Sequence, residues 1–139
     1  MASRPHGIAL DQRYPAQPAR VAQIRRAVAD VAAGFGADEA ALLRINLAVS
    51  EAATNAVLHA YRGKLGGGVR VRVEPAGDCL DVSIRDDGVG MSPRPDSPGL
   101  GLGLGLMAHE ATRCEIRCAP EGGTEVVLRF KLRGDSAMN

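Results

Sequence analysis

Apolar residues recur every three or four positions in two stretches of the chain and every second position in several shorter ones. Val21, Ile24, Val28, Val31 and Phe35 have helical spacing, so a first helix is expected from Ala16 or Pro18 to about Phe35, where Gly34 and Gly36 stop it. A second helix follows Asp38, a fair N-cap, and runs to about Tyr61. Its residues Leu42, Ile45, Val49, Ala52, Ala53, Ala56 and Ala60 fall on one stripe at roughly 100° per residue. Val69 to Glu74 alternates Val with charged residues, and Cys79 to Arg85 alternates again, with Pro75 to Asp78 as the turn between them. Ile8 to Tyr14 is a further strand. Cys114 to Ala119 and Thr124 to Leu132 form a last hairpin across Glu121-Gly122-Gly123. Between the hairpins, Asp86 to Gly105 is a long Gly- and Pro-rich loop feeding a short helix, Leu104 to Ala111. This order predicts an α+β fold, a two-layer sandwich of a mostly antiparallel mixed sheet with helices on one face. Residues 8–133 are expected to form one domain between flexible ends at 1–7 and 134–139.

The second helix carries a polar strip beside its apolar stripe. Arg44, Glu51, Asn55 and His59 share a face, and Glu51 and Asn55 stand one turn apart. Leu47 and Leu58 flank them, so the strip is narrow and not fully solvated. Taken alone, it reads as an ordinary amphipathic helix with one wet edge.

Composition narrows the classes. With 45% apolar but only 3% aromatic residues, the core must be built from Val, Leu, Ile and Ala. A net charge of +1 gives no global field for nucleic acid or membrane. No signal peptide or long apolar run is seen, so a cytoplasmic location is expected. The three cysteines, Cys79, Cys114 and Cys118, include no zinc-like pair, and Cys114 and Cys118, four apart on a strand, are assigned to core packing.

Two glycine-rich motifs change the reading of the helix. Asp86-Asp87-Gly88-Val89-Gly90 follows a strand end, where a carboxylate can accept from an amino group and glycines let a ligand approach the backbone. The run Gly99 to Leu106 alternates Gly and Leu before the short helix, exposing N–H groups suited to phosphate. It lacks the βαβ setting of a Rossmann fingerprint and the Gly-Lys-Ser/Thr of a Walker loop.

Taken together, E-A-A-T-N on a helix, D-D-G-V-G after a strand, G-L-G-L before a helix and G-G-T at the last hairpin occur in that order. The sequence resembles the GHKL ATP-binding superfamily, which includes gyrase, heat-shock chaperone, mismatch-repair and histidine-kinase ATPase domains. Within it the chain looks most like the bacterial anti-sigma-factor serine kinases, from the S-E-A-x-T-N-A-x-x-H-A-Y form of the helix motif. The resemblance implies ATP and Mg²⁺ as cofactors, with Asn55 holding the metal and Glu51 as general base. It implies Asp86 on the adenine amino group, with Gly88 and Gly90 giving close approach. Gly101 and Gly103 would meet the phosphates, with Leu102 and Leu104 in the same nucleotide-binding run, and Thr124 would support the adenine end. Arg20 resembles a position that contacts the sigma factor. Arg44, His59 and Arg62 are expected near the pocket without an assigned role.

The implied activity is an ATP-dependent protein-serine kinase that also sequesters a sigma factor and phosphorylates an anti-anti-sigma partner. A homodimer is implied, with the first helix and first strand as its surface. The rival readings are a nucleotide-gated partner-binding module with weak or no catalysis, and a small α+β interaction domain without nucleotide. The lid, Met91 to Gly99, departs from the family in carrying Pro93, Pro95 and Pro98.

Overall fold

The computed structural model describes residues 7–63, 67–87, 110–118 and 123–134. Within them lie β1 (Leu10–Pro15), α1 (Arg20–Gly34), α2 (Glu39–Gly63), β2 (Gly68–Ala76), β3 (Cys79–Asp86), β4 (Arg113–Cys118) and β5 (Thr124–Lys131). The five strands form one sheet in the order β1-β2-β3-β5-β4. Each of the four pairings is antiparallel. The predicted α+β sandwich is therefore present, and among the described residues its sheet is antiparallel throughout.

Alternation decides which side of each strand faces the helices. Val69, Val71, Val73, Leu80, Val82, Ile84, Leu128 and Phe130 point inward and are buried. They meet Ile24, Val28 and Ala32 of α1 and Ile45, Val49, Ala52, Ala53, Ala56 and Val57 of α2. The alanines matter here, because small side chains let α2 lie close on the sheet at interior packing density. The opposite face of the sheet is charged. Arg70 forks onto Asp11 with two hydrogen bonds of 2.9 Å, and Arg129 does the same to Asp81 at 2.7 and 2.9 Å.

The element boundaries differ from the sequence reading where proline chemistry intervenes. α1 starts at Arg20, after a turn in which Arg20 N–H donates to the Gln17 carbonyl and Val21 N–H to that of Pro18. Pro75 was expected in a turn but lies inside β2, paired with Leu80. By strand alternation its nitrogen faces the β1 side, past the last bond there, Ala9 N–H to Val73 O, so no ladder bond is lost. The turn itself tightens to Gly77-Asp78, with Gly77 at φ 64°. The two cysteines assigned to core packing differ. Cys114 packs against the core, but Cys118, at the end of the edge strand β4, is exposed. The helix expected over Leu104–Ala111 lies almost wholly outside the described residues. No helix among those described is long and apolar enough to cross a membrane.

Asp38 caps α2 as expected and does more. Its Oδ1 accepts from Ala41 N–H and its Oδ2 from Gly134 N–H, both at 2.8 Å. These bonds, that from Gly134 first, hold its carboxyl below the ordinary carboxylate range. A depressed acid contributes stability above its unfolded pKa of about 4, and the contribution disappears as pH falls through the folded value. Asp38→Ala should thus lower the thermal unfolding midpoint at neutral pH, and the deficit should shrink in acid below about pH 4. Circular dichroism melts at the two pH values check this; a deficit independent of pH would contradict the cap's role.

Candidate functional site

The polar edge of α2 faces the end of β3. Glu51, Asn55 and His59 repeat every four residues and are all half-buried. On the solvent side they are bordered by Leu47 and Leu58, which are 41% and 46% exposed. The strip is therefore only partly solvated, as its apolar flanks predicted. Within it, the Nδ2 of Asn55 is fully buried and has no hydrogen-bond partner among the described residues. An unsatisfied buried donor costs about 1–3 kcal/mol, so this amide calls for an acceptor.

Asp86 is the last residue of β3 and continues its alternation. Leu80, Val82 and Ile84 point toward the helices, and Asp86 follows them with only 3% exposure. A carboxylate thus occupies a position that elsewhere in the strand holds a hydrophobic side chain. Its Oδ1 accepts from Thr124 N–H at 3.4 Å. Its Oδ2 lies 3.8 Å from Nδ1 of His59, beyond hydrogen-bond length. Asp86 thereby joins the α2 edge to the start of β5.

The G-G-T turn holds this arrangement from the other side. Gly123 takes φ 92°, a region that favours glycine. A Cβ placed there would overlap the carbonyl oxygen of Asp86. Thr124, the next residue, is buried. Any side chain at Gly123 would push β5 away from the aspartate.

Asp87 turns the other way and has different work. Its Oδ1 accepts from Gly68 N–H and its Oδ2 from the Arg13 guanidinium, both at 2.8 Å. Partial burial pushes its carboxyl upward, but Arg13 and the Gly68 N–H outweigh this and leave it below the ordinary range. Of the two adjacent aspartates, only Asp86 faces the helix edge.

The structure thus brings Asp86, Thr124 and His59 together at one end of the α2–sheet seam, with Asn55 and Glu51 one and two turns earlier on the same helix edge. Gly88, Gly90, Gly101, Leu102, Gly103 and Leu104 lie outside the described residues. Arg20 stands apart, in the first turn of α1, where Gln17 and Gln23 hold its guanidinium at 3.1 and 2.9 Å. Arg44 lies two turns before Glu51 on the same helix, about 10 Å along its axis. Its charge acts on Asp38 at the opposite end of α2, roughly 22 Å along the helix from His59 at 1.5 Å per residue. Sequence reasoning gave no role to His59 and missed Gly123, Arg13 and Gly68. The four-residue spacing from Asn55 to His59 was a usable signal, and so were the paired glycines of the last hairpin. Nothing in the sequence pointed to Arg13.

Comparison with known proteins agrees with this fold. A profile of the histidine kinase-like ATPase domain matches residues 14–130. The serine-protein kinase RsbW of Bacillus subtilis is 31% identical, over 91% of this chain and 87% of that protein. An anti-sigma F factor of Pasteuria penetrans is 35% identical, over 66% of this chain and 69% of its own length. In the solved structure of the RsbU and RsbW domains of Rv1364c from Mycobacterium tuberculosis, 23% identical, the fold superposes with a TM-score of 0.68 over 88% of this chain and 31% of that one. The catalytic domain of histidine kinase ThkA, 11% identical, superposes at 0.56 over 91% of this chain and 99% of that one. The described sheet and helices, the ordered motifs and these similarities converge: the chain belongs to the histidine kinase-like ATPase domain family, and within it resembles the bacterial serine-protein kinases and anti-sigma factors.

Proposed function

We propose that this protein is an ATP-dependent protein-serine kinase that also binds a sigma factor and phosphorylates an anti-anti-sigma protein on serine. The observation that carries the reading is the buried Asp86 facing His59, on the half-buried helix edge that also carries Asn55 and Glu51. The names of the similar proteins, a serine-protein kinase and an anti-sigma factor, support the two halves of the activity.

Each residue has a task in this reading. Asp86 accepts the exocyclic amino group of adenine, with Thr124 beside it. Asn55 is the residue that would hold Mg²⁺. Its Oδ1 is the atom suited to a hard cation, and nucleotide phosphate would supply the acceptor that the buried Nδ2 lacks among the described residues. Among the described residues no group of His, Cys, Asp and Glu forms a metal cage. A magnesium ion here would be shared between Asn55, phosphate and water, which suits an ion that keeps much of its hydration. When bound, it would neutralise phosphate charge. Glu51, one turn earlier, takes the proton from the incoming serine hydroxyl. The serine oxygen forms the new bond to the γ-phosphorus as the bond to ADP breaks, and positioning supplies most of the catalysis. Arg20 on α1 is kept as a sigma-factor contact, and the active form is a homodimer in the cytoplasm.

Asp86→Asn should weaken ATP and ADP equally, by about 1–3 kcal/mol, because it leaves the adenine amino group with a poorer acceptor. Titration calorimetry with both nucleotides checks it; unchanged ADP affinity would remove Asp86 from the adenine.

Glu51→Gln should separate binding from chemistry. The carboxylate meets the hydroxyl only as the serine attacks, so its loss lowers turnover and spares ground-state binding. Phosphorylation of the antagonist should slow by roughly 10²–10⁴-fold, while Mg·ATP and sigma-factor binding persist. A time course beside wild type decides it. Near-normal phosphorylation by the mutant makes Glu51 a surface residue, and an inactive wild type makes the protein a nucleotide-gated binding module.

A further inference from the structure

The corner where β1, β2 and β3 meet carries contacts that the chemistry above leaves unused. The β2–β3 ladder ends at the pair Val69–Asp86. One residue further, Asp87 extends it without being part of the strand. Its N–H donates to the Gly68 carbonyl at 3.2 Å, and its Oδ1 takes the Gly68 N–H at 2.8 Å. Arg13, on the edge strand β1, closes the corner by donating from Nη2 to Asp87 Oδ2. Its guanidinium crosses Gly68 where a side chain would stand. Gly67 presses the same corner against α2: a Cβ there would come within 2.7 Å of the Ala60 carbonyl oxygen, next to His59.

We infer that Arg13 and Asp87 are positioning residues for nucleotide binding, a clamp that holds the end of β3 so that the Asp86 carboxylate keeps its direction. The inference rests on the assignment of Asp86 to adenine. Strand ends open locally at low free-energy cost when little ties them down. Gly123 and Thr124 restrain Asp86 from β5, and the clamp restrains it from β1 and β2. As an exposed ion pair, Arg13–Asp87 contributes little to global stability. Its effect falls on the orientation of the residue beside it.

The test uses ATP and ADP titrations of the intact protein. Arg13→Gln should raise Kd for both nucleotides by the same factor, about two- to fivefold, the range of an exposed pair. Arg13→Lys, which keeps a donor and a charge, should restore most of the affinity. Arg70→Gln is the control: it breaks the neighbouring Asp11 pair on the same β1–β2 seam and touches neither Asp87 nor Gly68. It should leave Kd unchanged even if it lowers the melting temperature as much as Arg13→Gln does. An equal loss of affinity in Arg70→Gln would mean general loosening of β1 and would overturn the clamp. So would an unchanged Kd in Arg13→Gln when Asp86→Asn binds weakly. If Asp86→Asn itself binds nucleotide normally, the adenine assignment fails and the clamp falls with it.

Discussion

Asp86 is a carboxylate in a row of buried aliphatic residues, and the rest of the site follows from accommodating it. Removing a charged or polar group from water is costly unless hydrogen bonds or a partner charge replace the lost hydration. Here the Thr124 N–H and the His59 ring face the carboxylate from two different elements. That requirement brings the start of β5 against the end of β3, which only a glycine at position 123 permits. It also sets how α2 must cross the sheet, since His59 reaches Asp86 only from the C-terminal half of that helix. The long alanine-rich stripe of α2 makes the crossing close. One buried acid thus links a hairpin turn, a strand end and a helix face.

The same view explains how the polar edge of α2 differs from a wet surface. Glu51 and Asn55 are neither in the core nor free in water, because exposed leucines border them on one side and the packed seam on the other. A half-buried amide whose nitrogen has no partner among the described residues is an unfinished arrangement. Phosphate and hydrated metal complete it in the proposed reading. The family to which the chain belongs supports ATP as the ligand, and the proteins it resembles support serine phosphorylation and sigma-factor binding.

Much of this was legible in the sequence, for identifiable reasons. The two-residue alternation of Val69 to Glu74 and of Cys79 to Arg85 marked strands with one buried face, and the order of elements led to the observed sandwich. Asp38 read as a cap and is one. The spacing of Glu51, Asn55 and His59 placed them on one edge. What escaped was contact between residues far apart in the chain. Arg13 and Asp87 are 74 positions apart, and no local pattern announces their pairing. Gly123 looked like hairpin punctuation, and its pressure on Asp86 appears only when β3 and β5 are side by side. Pro75 misled because proline signals a turn locally, whereas its place beyond the end of β1 makes it harmless in a strand.

In the proposed reading, the seam between α2 and the end of β3 takes up ATP, with Asn55 engaging the phosphates through magnesium. Titration calorimetry with ATP, in excess Mg²⁺ and again in EDTA, tests it most directly. One site per chain and clearly tighter binding with the metal are expected. Equal affinity in both solutions would contradict the role of Asn55, and absence of binding in either would contradict the site.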